Sequence, residues 1–386
     1  MLTMQLELHT NTTFYNKAFP SFGEPKIIGY IGYENLMFAR TIENKEVKFD
    51  LDFLRDKAVL KPQCLDVKLN NLLKFLLENE LRLKLCLNYL IDKAQFFCYR
   101  GLMTCIACTP YEKKDGWRLV AILFKGNIYL CQRDTEEKQK NKQNFTEKEQ
   151  KFTSWGFKFE QYLLSESPHA EPTPHLPLDE NKEFSLIFKT HLNNHSIIYG
   201  AEMDGIRCDK TSVASPPDIK DEKDNIINYL SNKEFIELKT SRHIEFPHQE
   251  NNFRKFKTKR WWCQSFLAGV DTILCGFRND NGIVEELKVY KLDDLPKMSR
   301  KFWDPNVCFN FLENFLTYVK RCLKREIRHK YGENALHKIH SLPLTSLHFE
   351  WEPGTPVRVT DNYVHEDDPI LHSWFTENFM TYRYDE

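Results

Sequence analysis

The sequence predicts one α/β (α+β) domain built around a mixed β-sheet core. Three observations carry this. Short apolar runs with period-two alternation, at residues 197–204 and 234–240, read as strands. Runs with apolar residues every three or four positions, at 65–91 and 305–323, read as amphipathic helices. No internal repeat and no compositional break divides the 386 residues, a length that can bury one large core or two modest ones.

Composition narrows the classes. Hydrophobic residues make up 41% of the chain and 29 are phenylalanine, which fits a globular protein. The formal net charge is -1, so affinity for nucleic acid must come from a local groove. No run of about 18 apolar residues occurs, and no membrane partner is expected. The N-terminus has no signal-peptide pattern. The 11 cysteines are odd in number and scattered through apolar runs, as expected for reduced, buried thiols in the nucleus or cytosol. Cys105-Ile106-Ala107-Cys108 is a lone C-x-x-C and is expected to be structural.

Taken in order, residues 1–20 read as an irregular arm, 21–365 as the single domain and 366–386 as a tail. A strand opens at 25–33. Residues 65–91 read as one long or two short helices. A strand at 96–101 ends in Arg100-Gly101. Arginine rarely enters a core unpaired, so Arg100 either meets a carboxylate or binds a phosphate bidentately. Residues 117–132 form a hairpin about Lys125-Gly126-Asn127. The run 135–151, rich in Lys, Glu and Gln, is a solvated helix or loop. Residues 165–181 carry four prolines and read as a loop. An apolar element follows at 184–192, and a charged loop at 208–225. Residues 253–262 interleave basic and aromatic side chains. They form either a groove wall that binds RNA phosphates and stacks on bases, or an amphipathic helix with a basic solvent face. In the first case, neutralising Lys257 and Lys259 weakens RNA binding and flattens its salt dependence. Strands follow at 274–278 and 284–290 around the Asn279-Asp280-Asn281-Gly282 turn. Asp304 and Pro305 begin the helix at 305–323. Two short strands flank Trp351-Glu352-Pro353-Gly354, and the acidic, aromatic tail after 361 has no assignment.

The two acidic strands carry the chemistry. On a strand, residues two apart share a face. Glu202 and Asp204 are thus expected on one face, and Glu237 and Lys239 on another. Setting those faces side by side gathers three carboxylates and one ammonium. Such carboxylates repel unless a cation sits among them, and hard oxygen donors suit Mg²⁺ or Mn²⁺. Each pattern alone is common on solvated strands.

The ordered set of motifs resembles the DXO family of decapping exoribonucleases, which act in RNA 5′-end quality control. The set comprises Arg100-Gly101, Gly156-x-Lys158-Phe159-Glu160, Glu202-x-Asp204, Glu237-x-Lys239, Trp261-Trp262-Cys263-Gln264-Ser265-Phe266-Leu267 and Gly276-Phe277-Arg278. Thr109-Pro110-Tyr111-Glu112 with Gly116-Trp117, and Trp351-Glu352-Pro353-Gly354, extend it over roughly residues 25 to 360. The resemblance implies two mixed β-sheets flanked by helices, distantly like the PD-(D/E)xK nucleases. It implies two Mg²⁺ or Mn²⁺ ions held by Glu160, Glu202, Asp204, Glu237 and the Leu238 carbonyl. Catalysis would fall to Glu202, Asp204, Glu237, Lys239 and Gln264. Substrate contacts would come from Tyr99, Arg100, Gly101, Ser185, Glu202, Lys239 and Gln264. Tyr99 stands where the family often has tryptophan, Ser185 where it usually has another residue. An acidic contact before the Leu69 helix is replaced by Asp66-Val67-Lys68.

The implied activity is metal-dependent hydrolysis at RNA 5′ ends: incompletely capped, NAD-capped, triphosphorylated or monophosphorylated. A monomer in the nucleus, and in the cytoplasm, is expected. Two other readings stand beside it. One is a non-catalytic 5′-end binder, as in a family member that has lost the carboxylates. The other is an activating partner of a larger 5′-3′ exoribonuclease.

Overall fold

The computed structural model describes residues 7–40, 46–61, 69–85, 87–144, 146–208, 213–360 and 369–379. Sixteen strands are present among them: β1 (Glu7–Leu8), β2 (Lys26–Ile31), β3 (Phe38–Arg40), β4 (Glu46–Asp50), β5 (Phe96–Tyr99), β6 (Trp117–Phe124), β7 (Asn127–Arg133), β8 (Leu164–Ser165), β9 (Ser185–Leu192), β10 (His195–Glu202), β11 (Gly205–Cys208), β12 (Phe235–Arg242), β13 (Thr272–Arg278), β14 (Ile283–Lys291), β15 (Thr345–Trp351) and β16 (Val357–Thr360). The helices are α1 (Asn70–Asn79), α2 (Arg100–Cys108), α3 (Glu136–Gln143), α4 (Glu147–Leu163), α5 (Lys223–Ser231), α6 (Pro247–Asn252), α7 (Thr258–Leu267), α8 (Asp294–Ser299), α9 (Pro305–Tyr331) and α10 (Ser373–Thr376).

The strands form two mixed sheets, as expected. Nine run in the order β1-β16-β15-β6-β7-β5-β10-β9-β2, and seven in the order β4-β14-β13-β12-β11-β3-β8. The β10/β5, β5/β7, β11/β3 and β12/β13 pairs are parallel and the rest antiparallel. One core cluster joins both sheets, with Phe96 and Tyr199 of the larger and Ile273 and Phe277 of the smaller. Helices α2, α7 and α9 contribute Ile106, Trp262 and Phe315 to that same cluster. On its other face the larger sheet packs against α1 through Leu72 and Phe75. The smaller sheet packs its other face against α4 through Trp155 and Phe159. Period-two alternation places Ile236 and Leu238 toward α4 and turns Glu237 and Lys239 to the opposite side.

Several local expectations change. The apolar run after Gly101 is helical: α2 begins at Arg100. The candidate helix at 65–91 is ordered as α1 over ten residues only, with Asp66-Val67-Lys68 outside the described residues. Helix α9 runs eight residues beyond the expected end, to Tyr331, and its Asp304 cap accepts from the Asn306 amide. The described residues of the arm are largely irregular but are tied to the domain: β1 pairs with β16, and Tyr15 packs edge-on against Phe311. Part of the tail is core as well, since Ile370, Leu371, Phe375 and Phe379 join Phe97 and Tyr129.

Candidate active site

The site lies where the chain changes sheets. Strand β10 ends at Glu202 in the larger sheet, and β11 begins at Gly205 in the smaller. Glu202 and Asp204 therefore do not share one strand, contrary to the simple period-two expectation. They bracket Met203, which is buried and whose amide donates to Phe184 O at 2.9 Å. Antiparallel pairing of Gly205 with Ile236 brings Asp204 beside β12. There its Oδ2 accepts from the Leu238 amide at 2.6 Å. The two acidic strands meet through this crossover, not by lying side by side.

Glu237 and Lys239 do share a face, with Lys239 Nζ 2.5 Å from Glu237 Oε1. Glu237 is 1% exposed and also meets Arg100 Nη1 at 3.4 Å. Arg100 Nη2 donates to the Glu202 carbonyl at 2.8 Å. Both terminal guanidinium nitrogens thus have protein partners, so Arg100 takes the carboxylate alternative of the sequence reading. Glu160 comes from the last turn of α4. That helix is seated closely because Gly276 of β13 leaves room for Phe159: a Cβ there would stand 2.4 Å from the ring.

Charge couples these groups. Burial and the Asp204, Glu202 and Glu237 carboxylates hold the Glu160 carboxyl well above the usual range, with Lys239 opposing. Burial and Glu237 push Asp204 up to about 7, against Lys239, the Leu238 amide and Arg100. Burial opposes ionisation of Glu237, yet Lys239 and Arg100 outweigh it and hold that carboxyl low. Burial likewise opposes the charge on Lys239, and Glu237 and Asp204 overcome it.

The remaining candidates are placed as follows. Ser185 opens β9 and pairs directly with Glu202. Tyr99 lies over Gly200, where a Cβ would come within 2.7 Å of the ring, and its hydroxyl accepts from the Leu72 amide at 3.2 Å. Gly101 has open space at its Cβ position, so close packing does not demand glycine there. Leu238 has its side chain in the α4 layer and its amide on Asp204. Gln264 is partly exposed on α7, and no hydrogen bond ties it to the carboxylates among the described residues. The basic-aromatic run is divided between the core and the surface, where Phe256 is exposed with Lys255 Nζ 5.0 Å from its ring centroid and Arg260 is exposed beside it. Phe253, Trp261 and Trp262 are buried, Lys259 is 2% exposed, and Lys257 Nζ donates to Ser241 Oγ at 3.1 Å. Cys108 lies buried, 3.9 Å from Cys263 Sγ, and none of the nine described cysteines is in a disulfide.

Two supporting residues carry no role of their own in the sequence analysis. Gly200 is one, although an isolated glycine in a strand signals close approach. Lys158 is the other. It is 2% exposed, and its Nζ donates to Pro174 O at 2.7 Å and Gln161 Oε1 at 2.9 Å. It fastens the proline-rich loop across α4; its spacing gave no sign of this.

Among the described residues no three His, Cys, Asp or Glu side chains close on one centre. The donor chemistry nonetheless fits a hard divalent cation. Glu160 and Asp204 are carboxylates whose charge is disfavoured mainly by burial and one another's neighbours, the condition a cation relieves.

Comparison with known proteins agrees with this architecture. The model of the RAI1 like PD-(D/E)XK nuclease family matches residues 28–376. The decapping and exoribonuclease protein of Xenopus laevis is 33% identical over 75% of this chain and 64% of its own length. The human protein of the same name is 30% identical over 85% of this chain and 76% of its own. Against the Xenopus protein, then, the match spans somewhat less than two thirds of the relative. The crystal structure of Candida albicans Rai1 in complex with pU5-Mn2+ superposes with a TM-score of 0.72 at 18% identity, covering 97% of this chain and 98% of that one. The chain belongs to the RAI1-like PD-(D/E)XK nuclease family.

Proposed function

We propose that this protein is a metal-dependent hydrolase of RNA 5′ ends, a decapping enzyme and 5′-3′ exoribonuclease. Its substrates are incompletely capped, NAD-capped or 5′-phosphorylated RNA, and its setting is RNA quality control in the nucleus and cytoplasm. The observation that carries this is the electrostatic coupling of Glu160, Asp204, Glu237 and Lys239 at the sheet crossover. A non-catalytic binder has no use for carboxylates that repel one another. The Candida albicans neighbour, solved with pU5 and Mn2+, is in keeping with this chemistry.

Glu160, Glu202, Asp204, Glu237 and the Leu238 carbonyl are the groups that would hold two Mg²⁺ or Mn²⁺ ions. Such ions lower the pKa of bound water and offset charge on a leaving oxygen. The chain's own part is positioning. The Leu238 amide fixes the Asp204 carboxylate, and Arg100 fixes both Glu237 and the Glu202 backbone. Lys239 is kept charged by Glu237 and is available to offset charge on phosphoryl oxygens. Tyr99, Gly101, Ser185 and Gln264 are assigned to the substrate side by the family likeness. The protein acts as a monomer, and a larger 5′-3′ exoribonuclease is its candidate partner.

The test uses RNAs differing only at the 5′ end: triphosphate, monophosphate, unmethylated cap, methylated cap and NAD cap. Each is incubated with Mg²⁺, Mn²⁺ or chelator, beside a Glu202→Gln control, chosen because the Glu202 side chain is exposed. Metal-dependent release lost in the control is the expected outcome. Binding without release in every metal overturns the enzymatic reading in favour of an end-protecting module.

A further inference from the structure

A cavity of about 310 Å³ opens between β2, α1 and α5, outside the carboxylate cluster. Its nearer end adjoins the site. Ile31 pairs with Ser185, and Ser185 pairs with Glu202. Two strand spacings put the cavity mouth about 10 Å from the Glu202 backbone. The same end of α1 is tied to the site by the Leu72 amide bond to Tyr99, the residue before Arg100.

One face of α1 lines the cavity, from Asn71 through Lys74 and Glu78 to Asn79, about 12 Å along the axis. Asn79 is 5% exposed and lies at the far end. Its Oδ1 accepts from Arg82 Nε at 3.2 Å and from Lys223 Nζ at 3.4 Å. This buried amide draws two cations from separate elements to one point. Arg82 Nη2 is further fixed by Ile28 O at 2.6 Å, while its Nη1 stands 3.6 Å from the exposed Asp224. Exposed Lys74 adds a third cation on the same wall.

The wall is not uniformly basic, since Glu34 and Glu78 line it too. Such a mixture is poorly suited to the dense phosphates of a duplex. It suits a single strand, whose spaced phosphates meet cations and whose unpaired base amines donate to carboxylates. Tyr30, partly exposed and 5.1 Å from Tyr33, supplies an aromatic face beside it.

We propose that this cavity holds the RNA chain on the 3′ side of the scissile bond. Arg82, Lys223 and Lys74 take its phosphates, and Glu34 and Glu78 take base amines. The inference rests on the hydrolase reading above and names where the body of that substrate lies.

The experiment compares the wild type with a Lys74→Glu/Lys223→Glu double variant; Arg82 is left intact because it also holds Ile28 and Asn79. Substrates are 5′-monophosphorylated oligoribonucleotides of two to six nucleotides in Mn²⁺, and melting temperature checks the fold. In the wild type, KM is expected to fall roughly tenfold as the chain outgrows the carboxylate cluster, the scale of one good contact. In the variant KM is expected to stay flat with length, with dinucleotide kcat and KM unchanged. Binding of the hexamer in chelator should lose about 1.4 from its log-log salt slope, at roughly 0.7 per phosphate contact. Retained length dependence and salt slope overturn the proposal. So does a loss confined to capped substrates, which would assign the cavity to the cap nucleoside. If the wild type hydrolyses nothing, the hydrolase reading fails, and hexamer binding in chelator still decides the cavity.

Discussion

The Asp204 carboxylate and the Leu238 amide, 2.6 Å apart, join the segment between the two sheets to the central strand of the smaller one. That bond fixes a carboxylate carried by the connection between β10 and β11 and not by either strand. It also places a backbone donor on the group that burial would otherwise keep protonated. The crossover and the site are therefore one feature.

Glu202 and Glu237 separate function from stability. Glu202 is exposed, and only its backbone carbonyl is held by Arg100. Glu202→Ala is expected to leave stability within about 0.5 kcal/mol and to lower turnover at least about a hundredfold. Glu237 is buried between Arg100 and Lys239. Glu237→Ala leaves two cations without their carboxylate and should lower stability by about 3 kcal/mol as well as removing activity. Urea unfolding and initial rates on both variants check this. Near-normal turnover of Glu202→Ala removes that residue from the catalytic set.

Lys320 gives a pH signature remote from the site. It is 5% exposed, donates to Asp92 O at 2.9 Å and stands 5.1 Å from the Phe96 ring centroid. Burial lowers its ammonium to about 8; Asp92 opposes this, and Lys324 and Lys93 add to it. Above that value the unfolded chain keeps a proton the folded chain has lost, so stability rises with pH until the unfolded value of 10.5. Between pH 7.5 and 9.5 the wild type should gain on the order of 2 kcal/mol relative to Lys320→Met. Parallel urea-derived curves for the two proteins would contradict the assignment.

Phe375 tests whether the tail belongs to the core. It is fully buried, 4.6 Å from Phe379 and 5.8 Å from Tyr129 between ring centroids. Phe375→Ala is expected to lower stability by about 3 kcal/mol, the lower end for a buried phenylalanine. An unchanged urea midpoint would remove residues 369–379 from the core.

The sequence by itself determined what depends on neighbours in the chain. Period two put Glu237 and Lys239 on one face, the Lys125-Gly126 turn made the hairpin of β6 and β7, and Asp304 with Pro305 began α9. The order of the motifs determined the family. Tertiary structure alone decided that Glu202 ends a strand of the larger sheet while Asp204 lies in the connection to the smaller one, because sheet membership depends on pairing partners far along the chain. It also decided that Arg100 meets Glu237, 137 residues away, and that Lys259 and Trp262 belong to the core. Burying an aromatic or pairing a charge is settled by what packs opposite it, and a run such as 253–262 carries no record of its opposite wall.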